Sequence, residues 1–184
     1  APKPRKTRPH AALPINRAAA SVSILIVQGP DATALDVAAL AESAGELGGQ
    51  WPLSAMSRLA DMLHRESAGA DEQAQWNVRG EKRGSGSGLA QIWLHLRVHA
   101  NCFLVCQRCL QPVATAIDAK RSFMFVAGEA TAAELDAQCE DDVLALTREL
   151  DLRELVEDEL LLSLPLVPKH EQCPSPLLAA ETGP

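Results

Sequence analysis

A chain of 184 residues, 47% of them hydrophobic, can bury the core of one domain, but with 3% aromatics and no Tyr that core must come from Leu, Val, Ile and Ala. No apolar run is long enough to cross a membrane as a helix, and the odd count of five cysteines argues against a disulfide framework, so the chain reads as cytoplasmic. The net charge of −7 is split: residues 1–124 hold 14 Lys and Arg against 10 Asp and Glu, and residues 125–184 hold 3 against 14, a polarity that suits one phosphate-bearing and one basic partner.

In sequence order, residues 1–32 form a basic extension. Pro2, Pro4, Pro9 and Pro14 lie among Lys3, Arg5, Lys6, Arg8 and Arg17, so disorder is expected. Ser21 to Val27 is too short and lacks the cleavage pattern of a leader; Val22 to Val27 fits a short strand without an identified partner. Ala34 to Leu47 reads as a helix stopped by Gly48 and Gly49. Ser54 to Glu66 reads as a second helix, with Ser54 as cap and Met56, Leu59, Met62 and Leu63 on its apolar side.

Gln75 to Arg83 reads as a strand, followed by a flexible Gly-Ser loop at 84–88. From Ile92 to Ala100 the alternation is strict. Ile92, Leu94, Leu96, Val98 and Ala100 form a core row, and Trp93, His95, Arg97, His99 and Asn101 form the opposite one. The second row is chemically suited to a nucleic-acid backbone or base, although a half-buried face covered by a helix is the commoner reason for such a row. Val113 to Val126 is a second long strand, which puts residues 106–112 at a hairpin tip. Thr131 to Gln138 reads as a short helix boxed by Thr131 and Glu134, and Val143 to Leu146 as an edge strand. Asp151 to Ser163 is the strongest helix. Asp151 caps it, Leu152, Leu155, Val156, Leu160 and Ser163/Leu164 form the buried stripe, and Arg153, Glu154, Glu157 and Asp158 form the wet face. Pro165 and Pro168 end it, and residues 175–184 are a tail. The expected fold is α+β over residues 33–174: a central, mainly antiparallel sheet flanked by three or four helices, with closure into a partial barrel left open.

Cys106 and Cys109 form a C-x-x-C at the hairpin tip, and about sixty residues on come His170 and Cys173. Thiolates and imidazoles suit zinc, and a structural site needs four ligands, so Cys106, Cys109, His170 and Cys173 are the candidate set for one Zn2+. Packed thiols near a turn are the competing reading. Redox catalysis is the weakest, because a redox C-x-x-C normally opens a helix, and no other catalytic motif is present. The chain is expected not to be an enzyme.

Val105-Cys-Gln-Arg-Cys109 and the stretch from Leu150 to His170, which contains Asp151-Leu-Arg-Glu-Leu-Val-Glu-Asp-Glu-Leu-Leu-Leu-Ser-Leu-Pro165, resemble the YceD family of large ribosomal RNA subunit accumulation proteins. Pro52-Leu53 and Arg58-Leu59 extend the likeness toward Leu35. The resemblance implies a part in ribosome biogenesis, in accumulation of 23S rRNA, with no established catalytic activity. Some relatives show a second cysteine pair where this chain has His170 and Cys173. On this reading Arg79, Lys82, Arg83, His95, Arg97, His99, Arg108, Lys120 and Arg121 contact rRNA phosphates, and Glu154, Glu157 and Asp158 hold a basic ribosomal protein. The alternatives are a protein-only chaperone for such a protein, or a thiol redox enzyme using Cys106 and Cys109.

Overall fold

The computed structural model describes residues 25–26, 34–65, 72–84 and 90–174. The extension over 1–32, apart from residues 25–26, the centre of the Gly-Ser loop and the tail at 175–184 lie outside them. Among the described residues six strands lie in sequence order across one sheet: β1 (Leu25–Ile26), β2 (Glu46–Pro52), β3 (Gln73–Arg83), β4 (Gln91–Val105), β5 (Pro112–Val126) and β6 (Asp142–Ala145). The pairs β2–β3, β3–β4 and β4–β5 are antiparallel, and the edge pairs β1–β2 and β5–β6 are parallel. The sheet is open, with β1 and β6 as its edges. Four α-helices accompany it among the same residues: α1 (Val37–Glu42), α2 (Ser57–Ala60), α3 (Glu129–Asp136) and α4 (Leu152–Leu162). The α+β expectation holds.

The alternation of β4 decides the layering, because successive side chains of a strand point to opposite faces. Leu94, Leu96, Val98, Ala100, Cys102 and Leu104 are buried on one face. There they pack with Val78, Ile117 and Phe123 from the sheet and with Val37, Leu59, Leu152, Val156 and Leu160 from α1, α2 and α4. A smaller cluster of Trp93, Met124, Ala132 and Val143 lies where α3 covers one corner of the other face. Helix α1 sits so close to β3 that a Cβ on Gly80 would fall 2.6 Å from the backbone nitrogen of Ala41 and from the carbonyl carbon of Leu40. A Gly80→Ala substitution is therefore expected to destabilise the fold by about 1–3 kcal/mol, read as a lower urea midpoint; an unchanged midpoint would show that α1 can slide.

Three expectations are corrected. Residues 46–52 are a strand rather than the end of a helix. Gly48 and Gly49 lie in mid-strand, paired with Asn77 and Trp76, and Trp51 stacks on Trp76 with centroids 4.6 Å apart. The helix expected over 54–66 shrinks to a 3-10 turn at Leu53–Ala55 and the single turn α2, because Leu63 then bridges to Leu104 in extended conformation. Helix α3 starts after Gly128, not at Thr131. Asp151 does cap α4, accepting from the Glu154 N–H at 3.0 Å.

Candidate functional site

The turn joining β4 to β5 is built from sequence-local bonds: the Leu110 N–H donates to the Cys106 carbonyl (2.9 Å) and the Cys106 N–H to the Gln111 carbonyl (3.0 Å). Leu110 takes φ 59°, the left-handed value that lets the backbone reverse. The Gln107 N–H donates to the Pro168 carbonyl (2.9 Å), which ties the turn to the segment after α4. Pro165 and Pro168 thus deliver His170 and Cys173 to the hairpin tip. The ligand atoms of Cys106, Cys109, His170 and Cys173 all lie within 4.8 Å of one another.

The details suit a cation. His170 Nε2 donates to the Pro112 carbonyl (3.0 Å), which fixes the tautomer and leaves Nδ1 facing Cys109 Sγ at 3.4 Å. Burial alone would push the Cys106 thiol up. Backbone hydrogen bonds from Arg108, Cys109 and His170, with the Cys109 thiol, outweigh it and bring the Cys106 pKa down. Burial, then hydrogen bonding to Cys109 and Cys106, pushes Cys173 up. The two shifts run in opposite directions within one hydrogen-bonded set of sulfurs, and a divalent ion there would favour all three as thiolates. Three sulfurs and one nitrogen at this spacing need little contraction to become a tetrahedral zinc site. No helix begins at the C-x-x-C to lower a thiol pKa by its dipole.

The second feature is the face of β3–β5 left open beside α3. Cross-strand register sets its rows. His95 lies opposite Arg79 and Ser122, Arg97 opposite Asn77 and Lys120, and His99 opposite Gln75 and Asp118. The carboxylates of this face are already engaged. Glu46 accepts from the Asn77 amide (2.9 Å). Glu81 accepts from Arg83 (2.9 Å) and His95 Nε2 (2.8 Å), with Arg79 at 3.5 Å; Arg83, then His95, hold its pKa down to about 2. Asp118 accepts from His99 Nδ1 (2.8 Å). Among the described residues Arg97 and Lys120 have no ion-pair partner. They are exposed and directly opposed, a like-charge pairing that costs roughly 0.2–1 kcal/mol.

Ser122, His95 and Glu81 form a hydrogen-bonded relay, with Ser122 Oγ 2.8 Å from His95 Nδ1. Ser122 sits in mid-strand and not on a turn that would aim backbone N–H groups at a developing oxyanion, so the relay orients the imidazole.

The residues expected to meet RNA therefore divide. Arg79, His95, Arg97, His99 and Lys120 share the open face. Arg83 also points there, its guanidinium 4.3 Å from the centroid of Trp93. Arg108 is exposed at the hairpin tip. Lys82 and Arg121 fall on the helix side, because they pair with the core positions Ile92 and Leu96; Lys82 binds Glu42 at 3.1 Å and Arg121 binds Glu159 at 3.0 Å.

The wet-face expectation for Glu157 is corrected as well. Glu157 is buried and accepts the backbone N–H groups of Arg58 (2.6 Å) and Leu59 (3.0 Å), while its other oxygen meets the Arg58 guanidinium at 3.1 Å. Asp158 pairs with the same guanidinium at 2.5 Å. Only Glu154 of the three stays free for a partner among the described residues. Buried Glu159 was missed by sequence reasoning, and the one available signal was Arg121, a cation on a core-facing strand position.

Comparison with known proteins gives a family match. The family model described as "Large ribosomal RNA subunit accumulation protein YceD" matches residues 94–184, about half of the sequence, from near the start of β4 to beyond the candidate ligand set. Pro52-Leu53 and Arg58-Leu59 lie outside that match. No curated protein and no solved structure matches the sequence.

Proposed function

We propose, from the premise that residues 94–184 belong to the YceD family, that the protein supports accumulation of large-subunit ribosomal RNA as a non-enzymatic factor in the cytoplasm. It lays the open face of β3–β5 against rRNA phosphates. The observation that carries this reading is the pair Arg97 and Lys120, two exposed cations on a sheet face whose described carboxylates are engaged elsewhere. Phosphate contacts supply sequence-independent affinity, and the shortage of aromatic side chains on the face argues against base stacking as the main contribution.

Cys106, Cys109, His170 and Cys173 hold one structural Zn2+ in this reading. The ion supplies no reaction; it clamps the segment after α4 to the β4–β5 hairpin and so fixes the end of the RNA-facing strands. The protein-only alternative, a chaperone for a basic ribosomal protein, loses most of its expected surface, since Glu157 and Asp158 are already bound to Arg58.

The test is association of the purified protein with large-subunit precursor particles across a salt series. Arg97→Glu with Lys120→Glu is expected to weaken association at least tenfold and to flatten the salt dependence, while Lys82→Glu, on the helix side, leaves it within twofold. Undiminished association of the double reversal refutes the RNA-facing sheet. Salt-independent association that survives nuclease selects protein-only binding.

A further inference from the structure

We infer that the recess over Arg97 and Lys120 seats a phosphate monoester dianion, the terminal phosphate of an RNA strand or the same group on a small molecule; the inference rests on the RNA-facing reading and gives it a chemical specificity. The recess has a volume of about 370 Å3, and its walls include Asn77, Arg79, His95, Arg97, Lys120 and Ser122. It opens beside a shallower depression of about 840 Å3 that shares Asn77, Arg97 and Lys120.

Charge matching selects the ligand. Glu46 also lines the recess and keeps its negative charge, since the Asn77 amide that donates to it is neutral; it lies directly opposite Arg79 and offsets that cation. Glu81 is taken up by Arg83 at 2.9 Å, and Arg121, also on the wall, is matched by Glu159 at 3.0 Å. That leaves the two positive charges of Arg97 and Lys120, on side chains whose Cβ atoms are about 5 Å apart by their register. An internal phosphodiester brings one negative charge, whereas a phosphate monoester brings close to two above its second pKa of about 6. Three acceptor oxygens on one phosphorus can meet a guanidinium and an ammonium together. The concavity points the same way, because an internal phosphate is flanked by two sugars and cannot enter a recess as deeply as a strand end.

The face outside the recess has room for the rest of a strand. The shallower depression is also lined by Gln50, Gln75 and His99, which offer amide and imidazole groups to ribose hydroxyls and further phosphates. A strand end anchored between Arg97 and Lys120 would run from there across β3 toward β2.

Calorimetric titration of the full-length protein tests this with a short oligoribonucleotide carrying a 5′-phosphate, a 3′-phosphate or hydroxyls at both ends, and with nucleoside 5′-monophosphate and inorganic phosphate. The expected result is at least tenfold tighter binding of a phosphorylated form than of the hydroxyl form. The gap should close in Arg97→Ala and Lys120→Ala and persist in Lys82→Ala, with thermal melts showing all three folded. Monophosphate or inorganic phosphate binding as tightly as the phosphorylated oligonucleotide, with the same variant dependence, supports the seat and assigns it to a small ligand. Equal affinity for phosphorylated and hydroxyl forms overturns the seat and leaves the RNA-facing sheet standing. If no probe binds, the seat is also overturned, and particle association of the Arg97→Glu, Lys120→Glu protein decides the wider reading separately.

Discussion

Stripping zinc from the purified protein with a chelator is expected to lower its melting temperature by about 10 °C. A ligand present at about a thousand times its dissociation constant stabilises the native state by about 4 kcal/mol, and for a domain of this size each kcal/mol moves the midpoint by about 2–4 °C. The loss should be local in its cause. The core that packs Leu94, Leu96 and Val98 against Val156 and Leu160 makes no use of the four ligand residues, so β3–β5 should keep their amide protection while the Gln107 N–H, which donates to the Pro168 carbonyl, loses it. Native mass spectrometry should find one zinc per molecule, and none in a Cys106→Ser, Cys109→Ser variant. A metal-free protein with an unchanged melting temperature would make these residues packed thiols.

Glu157→Ala should be the most damaging change to a charged side chain on α4. The carboxylate caps α2, whose own N-cap residue Met56 offers no side-chain hydrogen bond, and it does so from 98 and 99 residues away in sequence. Its removal orphans two backbone N–H groups beside fully buried Leu59, and buried unsatisfied donors cost roughly 1–3 kcal/mol each. The ion pair adds less, because the Arg58 side chain is 48% exposed. The expected loss is about 2–4 kcal/mol by urea unfolding, with Glu157→Gln intermediate and the exposed Glu154→Ala within about 0.5 kcal/mol. A loss under about 1 kcal/mol for Glu157→Ala would mean that Met56 and Leu59 hold α2 by packing alone.

The difference between Glu154 and Glu157 shows where sequence reading stops. Helical period marks Leu152, Val156 and Leu160 as buried, and they are, but it cannot tell that a carboxylate at the edge of that stripe has a partner in another helix. The long strands were legible because alternation is local, and so was the pairing of a C-x-x-C with His170 and Cys173, because few other residues could complete a ligand set. Strand β2 was hidden, since Gly48 and Gly49 read as a helix stop and only the pairing with β3 makes them strand. The opposition of Arg97 and Lys120 is a fact of register: each residue was visible alone, and their adjacency depends on the β4–β5 hairpin closing between Val105 and Pro112.

The strictly sequential order of the sheet has a consequence for how the protein is made. Each strand after β1 pairs with its immediate predecessor, so during synthesis every strand can zip onto one that has already emerged, with short searches between partners. Three late arrivals escape that rule. Leu150 bridges back to Leu35, Glu157 reaches back to α2, and His170 closes on Cys109 across 61 residues. Growth of the sheet can therefore follow the order of synthesis, whereas the contacts that lock it need the last part of the domain. A nascent polypeptide halted before residue 150 would carry the cation-bearing strands without the segment that brings His170 and Cys173 to the hairpin tip, and closure of that four-residue set would mark a molecule whose domain has been fully delivered.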